Sequence, residues 1–397
     1  MNEEKDAQKN ILGLPKNIFL LGLVSLFNDF SSEMVFAVFP AFFVTVLTSG
    51  AASLGIVDGI AESLSNFFKI YSGTLSDRWQ KRKPFLLGGY TLSVVTRPFY
   101  LLVSTVGGVL GLRVLDRIGK GMRDAPRDAL ISLSTSPATL GRSFGYHRMM
   151  DTLGSIVGPL VAYLILLRLP LHFNTVFITA FFIGILAVFT LFFVSDVILH
   201  APTRHASLTH TYHQLSTHFK LFLLSIFILS MGSLPIAVIL LKTQTIGLVI
   251  ADIPLFYMIY NISYAAFSIT AGKASDRVGA KTIIFIGYCI LLISYGCLFI
   301  AHSALTLAAS FFLLGLFPAL TDGVQRSLTS QLAAEELRGG ALGLLNAAVG
   351  FGVLFAGIIG GYLWQTYNPA TAFTIASITV AVGLIVFVFS TLRRDDM

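Results

Sequence analysis

Gly73-Thr-Leu-Ser-Asp77-Arg78-Trp-Gln-Lys81-Arg82-Lys83 returns 199 residues later as Gly272-Lys-Ala-Ser-Asp276-Arg277-Val-Gly279-Ala-Lys281. Each copy sits between two long apolar runs, so each reads as a short polar loop joining two spans. The echo extends outward in the same order. Asp124 and Arg127 correspond to Asp322 and Arg326, and Arg142 to Arg338, so the offsets stay between 196 and 199 residues. Constant offsets at separated places indicate a duplicated unit.

Composition says what is duplicated. Of 397 residues, 55% are hydrophobic and 12% charged, whereas a soluble domain carries about 25% charged residues. A span needs about 20 apolar residues, so the chain holds roughly 12 spans with little left over. The expected spans are 17–47, 53–75, 84–105, 107–130, 140–167, 173–195, 219–243, 253–272, 280–301, 304–327, 339–366 and 370–392. The fold expected is an all-α membrane protein with twelve transmembrane helices in two pseudo-symmetric six-helix bundles. Residues 1–195 form the first bundle, 196–218 a cytoplasmic linker and 219–397 the second bundle.

The net charge of +7 does not point to nucleic acid, because the positive residues are placed asymmetrically. With the N-terminus in the cytoplasm, Arg78, Lys81, Arg82, Lys83, Arg142, Lys273, Arg277, Lys281 and Arg338 fall on one side, and Arg168 and Lys242 are nearly alone on the other. That is the positive-inside pattern, with both termini inside. The first apolar run carries Asn28, Asp29 and Glu33 and lacks a cleavage signature, so it reads as a retained helix. Cys289 and Cys297 lie eight residues apart on one helix, a rise of about 12 Å, too far to pair. His200, His205, His210, His213 and His218 read as decoration of a solvated linker, with metal binding as the alternative. No cofactor is expected. No nucleotide-binding loop, metal-ligand set or catalytic triad spacing points to an enzyme.

The doubled loop, with the linker between the halves, resembles the major facilitator superfamily over the whole chain. Gly154-Ser-Ile-Val-Gly158-Pro159 is similar to the glycine-proline motif of the family's antiporters, without the full glycine run. Asp116-Arg-Ile-Gly-Lys120-Gly-Met-Arg123-Asp-Ala-Pro-Arg127-Asp128 resembles a subgroup of bacterial permeases. The resemblance implies an inner-membrane transporter, monomeric, whose two halves close alternately around a polar site near the bilayer midplane. It also implies a gate on the cytoplasmic side. There Asp77 sits against a helix dipole, and Arg78 or Arg82 pairs with Asp124 or Asp128, with Gly73 and the second copy Gly272, Asp276 and Arg277 in matching roles.

Charges inside spans cost about 3 kcal/mol each at a helix centre and mark function. In span four, Arg113, Asp116, Arg117 and Lys120 are spaced three, four and seven apart and share one face. Three cations against one carboxylate, with Arg97 of span three beside them, suit an anionic solute group; the competing reading is an internally neutralised network. Asp29 and Glu33 of span one, with His147 and Asp151 of span five, are the proton-coupling candidates. The cargo expected is a small, anionic or amphiphilic organic solute, moved together with protons. A broad-specificity drug efflux pump and a non-transporting sensor are the alternatives.

Overall fold

The computed structural model describes residues 10–11, 13–79, 81–136, 139–197, 212–334 and 337–392. The side chains of Asp77 and Arg78, and His200, His205 and His210 of the expected linker, lie outside the described residues. After a two-stranded ribbon, β1 (Asn10–Ile11) and β2 (Leu14–Pro15), the chain is helical. The first half contributes α1 (Lys16–Thr45), α2 (Ala51–Trp79), α3 (Lys83–Phe99), α4 (Val106–Leu133), α5 (Leu140–Arg168) and α6 (Phe173–Phe192). The second contributes α7 (Thr217–Met231), α8 (Ile236–Leu240), α9 (Lys242–Thr245), α10 (Ile253–Val278), α11 (Ala280–Ile300), α12 (Ala304–Leu332), α13 (Arg338–Thr366) and α14 (Pro369–Leu392). With α7 and α8 taken as one span, these are the twelve expected spans.

Local chemistry starts these helices. Thr105 accepts from the Gly108 N–H at 3.2 Å to open α4, and Ser216 accepts from the Phe219 N–H at 3.2 Å to open α7. Ser303 and Thr306 form a reciprocal capping box at α12. Gly279 joins α10 to α11 at φ +93°, a left-handed conformation that a side chain would strain.

Among the described residues, nine stretches are long and apolar enough to cross a membrane by themselves. The three spans that fall short are α2, α3 and α4. α3 has only 17 residues, and α2 and α4 carry charges along their length. Ionic groups are not confined to these three, since the apolar α1 and α5 carry Asp29, Glu33, His147 and Asp151.

The described residues fall into two compact units: 1–42 with 67–203, and 43–66 with 204–397. In the first, Ile18, Leu21 and Val24 of α1 join Leu86 and Tyr90 of α3, Leu130 of α4 and Leu191 of α6 in one buried cluster. Phe42 meets Phe173 and Phe177 edge-on, at 5.8 and 5.3 Å between centroids. In the second, the start of α2 packs on α13 through glycines. A Cβ at Gly55 would lie 2.2 Å from the Gly357 carbonyl oxygen, and one at Gly361 would lie 2.5 Å from that of Ala51. Bare backbones let the helices touch.

Span seven departs from the continuous helix expected over 219–243. It stops at Met231 and resumes at Ile236, with Pro235 just before the second piece, where its missing N–H leaves no helical hydrogen bond unmade.

Candidate functional site

The candidate residues of spans one to five come together within the first unit. On α4, Asp116 Oδ2 lies 3.7 Å from Arg113 Nη1 and 4.0 Å from Arg117 Nε. These are ion-pair separations, longer than direct hydrogen bonds. The Arg113 guanidinium also lies over two α1 rings, 4.7 Å from the centre of Phe36 and 5.0 Å from that of Phe39. Arg117 is 6.0 Å from Phe36. One aromatic wall therefore lies beside both guanidiniums, an arrangement worth about 0.5–2 kcal/mol per contact. Lys120, one turn on, is half-buried, and among the described residues its ammonium group makes no salt bridge or hydrogen bond.

Arg97 is 2% exposed and threads between three helices. Its Nη1 donates to Ser31 Oγ of α1, and its Nη2 donates to Asn28 Oδ1 at 3.3 Å. Ser31 in turn donates to the Ala180 carbonyl of α6. The guanidinium occupies the slot left by Gly184, where a Cβ would lie 2.0 Å from Nη1. Among the described residues no carboxylate stands within salt-bridge distance of it. Arg97 thus both ties α1, α3 and α6 and holds positive charge inside the unit, balanced by dipoles.

Arg123 is a buried cation not expected as a site residue. It is 4% exposed, donates from Nη1 to Ser93 Oγ at 2.7 Å, and lies 4.6 Å over the Tyr90 ring. Ser93 passes its own proton to the Asp116 carbonyl at 3.0 Å. The contact is close because Gly89 and Gly119 face each other, each built Cβ falling 2.5 Å from the other's carbonyl oxygen. Ser93→Ala removes the acceptor of a buried charged donor, so it should lower stability by about 1–3 kcal/mol, read as a fall in the melting temperature of purified protein.

The carboxylates of α1 lie along a seam with α5. A Cβ at Gly154 would meet the Leu26 carbonyl oxygen at 2.6 Å and Asp29 Cβ at 3.0 Å; at Gly158 it would meet the Phe30 carbonyl oxygen at 2.6 Å and Glu33 Cβ at 3.1 Å. The seam places Asp151 one turn from Asp29, where it accepts from Ser25 Oγ of α1 and lies 3.6 Å from His147 Nδ1. Asp29 accepts from Asn28 Nδ2 at 2.9 Å, and both Asp29 and Glu33 are half-buried. Asp29, His147 and Asp151 are therefore neighbours across one helix interface, with Glu33 a turn further along it.

At the end of α2, the gating candidates divide. Gly73 packs on α4, its built Cβ 3.3 Å from Ala125 Cβ, and Ser72 Oγ donates to the Gly121 carbonyl at 2.8 Å. Asp124 pairs with Lys69 at 3.3 Å and with Arg127 at 3.7 Å, and Asp128 with Arg127 at 3.0 Å. Lys69 precedes Ser72 and Gly73 by three and four residues, so all three share the α2 face that meets α4. Arg82 is drawn instead to the end of α6. Asp196 accepts the backbone N–H groups of Arg82 and Lys83 at 3.0 and 3.2 Å, and Arg82 Nη1 donates to the Val197 carbonyl at 3.2 Å. In the second copy, nothing stands within 4 Å of a Cβ at Gly272, and Asp276 and Arg277 are exposed.

Other polar positions inside spans were passed over at the sequence level. α2 carries Asp58 and Glu62 besides Lys69. In the second unit, Tyr264 donates to Asp322 at 3.1 Å and Gln325 to the Tyr288 hydroxyl at 3.0 Å. Intramembrane charge is itself the signal that could have found Asp58, Glu62, Lys69 and Asp322. Nothing in the sequence pointed to Tyr264.

The sequence profile of the Major Facilitator Superfamily matches residues 21–248 and again residues 221–396. The MFS-type transporter MJ1317 of Methanocaldococcus jannaschii is 35% identical over 395 residues, covering 98% of this chain and 97% of that protein. In three dimensions the chain is similar to a variant of the nucleoside transporter NupG, with a TM-score of 0.82 at 14% identity over 95% of this chain and all of that one. It is also similar to a POT family transporter solved with 5-aminolevulinic acid, with a TM-score of 0.80 at 14% identity over 98% and 99% of the two chains. At these identities the two structures speak for the fold alone.

Proposed function

The chain belongs to the Major Facilitator Superfamily, a multi-pass membrane transporter, and from that premise we propose that it moves a small anionic organic solute by proton-coupled alternating access. The observation that carries the anionic reading is the α4 face. Arg113, Arg117 and Lys120 gather on one side of that helix with Asp116, the Arg113 guanidinium lies over two aromatic rings, and Arg97 is buried beside α1 with no carboxylate within salt-bridge distance among the described residues. A low-dielectric region lined by several cations favours a solute that brings negative charge. A guanidinium presents its donors in the fork that suits a carboxylate or phosphate.

The α1–α5 seam supplies the coupling groups in this reading. Asp151 and Asp29, with His147 and Glu33, are the carboxylates and imidazole whose protonation alternates as access alternates. The distribution of Lys and Arg supports an inner-membrane orientation with both termini cytoplasmic, and the protein acts as a monomer.

The test is a thermal-shift screen of small carboxylates and phosphate esters on purified protein and on Arg117→Gln. A ligand present at 100 times its Kd stabilises by about 2.7 kcal/mol. We expect at least one anion to raise the melting temperature of the parent and to lose that effect in the variant. If instead tetraphenylphosphonium stabilises the parent and binds more tightly to Arg117→Gln, a drug efflux function replaces the anionic one.

A further inference from the structure

The interruption of span seven carries an inference of its own. Between the end of α7 at Met231 and the start of α8 at Ile236, the four residues Gly232, Ser233, Leu234 and Pro235 leave the helix. In hydrocarbon each freed backbone group must find a partner inside the protein. Here one side chain serves two of them. The Tyr295 hydroxyl of α11 accepts from the Leu234 N–H at 2.8 Å and donates to the Gly232 carbonyl at 3.1 Å. Tyr295 is 1% exposed and its ring packs 5.6 Å from that of Phe373 in α14, so the hydroxyl is held in place.

The break is not a necessary result of proline. Pro40 of α1 lies 195 residues before Pro235, close to the repeat offset, and α1 runs through it unbroken. Pro98, Pro126, Pro159 and Pro318 are also inside continuous helices. Gly315 stands three residues before Pro318 just as Gly232 does before Pro235, yet that helix is continuous, so what distinguishes span seven is a buried hydroxyl from another helix that takes up both loose ends.

We propose that Gly232–Pro235 is a hinge on which the outer piece of span seven turns during transport, and that Tyr295 is the clasp that positions it. The clasp is reversible by nature. It consists of two neutral hydrogen bonds to a single oxygen, each contributing about 0.5–1.5 kcal/mol net, so the broken and the re-formed helix differ little in free energy. A Pro kink with a mobile partner is how a helix bends without exposing its backbone. The inference rests on the chain being a transporter and not on the charge of its solute, so it stands or falls separately from the α4 site.

The experiment places spin labels at the two ends of span seven. Thr217→Cys and Thr245→Cys, both exposed, are introduced with Cys289 and Cys297 replaced by serine, and distances are measured in lipid nanodiscs by pulsed electron paramagnetic resonance. The parent is expected to show two distance populations. Tyr295→Phe should change their ratio at least threefold while keeping the ring packing, and Pro235→Ala, which permits a continuous helix, should collapse them to one. A single distance in the parent overturns the hinge. Two populations whose ratio is the same in Tyr295→Phe overturn the clasp. Should Tyr295→Phe fail to fold, the parent and Pro235→Ala decide the hinge, and backbone amide exchange at Leu234 in Tyr295→Trp decides the clasp: unchanged protection overturns it, and a tenfold loss supports it.

Discussion

Asp151→Asn is expected to abolish gradient-driven accumulation of solute in proteoliposomes, at least a hundredfold below the parent, while solute exchange across the same membrane persists. Asp151 is held by Ser25 of α1 and sits 3.6 Å from His147, across the seam from Asp29. Asparagine fills the same volume and accepts the same serine proton, so the seam stays packed, yet it no longer binds or releases a proton. Asp29→Asn should give the same split between accumulation and exchange. If Asp151→Asn accumulates solute as the parent does, the coupling group lies elsewhere. If exchange is lost as well, Asp151 acts in solute binding or in the conformational change itself.

Gly154→Leu is the second large effect expected, and it acts on the fold. At this position even a Cβ meets the Leu26 carbonyl oxygen at 2.6 Å and the Phe30 nitrogen at 2.8 Å, both backbone atoms of α1 that cannot rotate away. Overpacking a tight contact costs about 1–3 kcal/mol and more when backbone must move. The helices would have to separate along the line that holds Asp29 and Asp151. We expect the variant to lose its monodisperse peak in size-exclusion chromatography or to melt at least 10 °C lower. Gly145→Leu in the same helix, where nothing lies within 4 Å of a Cβ, should melt within a few degrees of the parent. Equal stability of Gly154→Leu and the parent would remove the close seam as an element of the site.

The twelve spans were legible because a bilayer imposes one rule on every segment, enough apolar residues to cross, and because the duplicated Gly73 and Gly272 loops fix the repeat. The break in span seven was not. Pro40, Pro98, Pro126, Pro159 and Pro318 lie inside continuous helices, whereas the helix of span seven stops before Pro235. The hydroxyl that takes up the loose backbone groups there belongs to Tyr295, more than sixty residues away in sequence, and no local pattern reports such a partner. The α4 face was readable from spacing alone, since Arg113, Asp116 and Arg117 must share a side of any helix. Arg123 lies on the edge of the same face and was passed over, because its rotation toward Tyr90 and Ser93 depends on how closely Gly89 and Gly119 let α3 approach. Lys69 and Asp196 were missed for a related reason. Each takes its contacts from a helix remote in sequence, Lys69 from α4 and Asp196 from the start of α3, whereas sequence spacing reveals only the companions on a residue's own helix.

The most direct measurement of a link between the proposed anion face on α4 and the proposed proton-carrying seam of α1 and α5 is the proton count on binding. Purified protein in weakly buffered detergent solution is titrated with an anion that stabilises it, and the pH is followed. The parent is expected to take up protons as the anion binds, Asp151→Asn to bind the anion with a clearly smaller uptake, and Arg117→Gln to show neither binding nor uptake. Anion binding by the parent with no change in pH, or an uptake that Asp151→Asn and Asp29→Asn leave unaltered, would contradict that link.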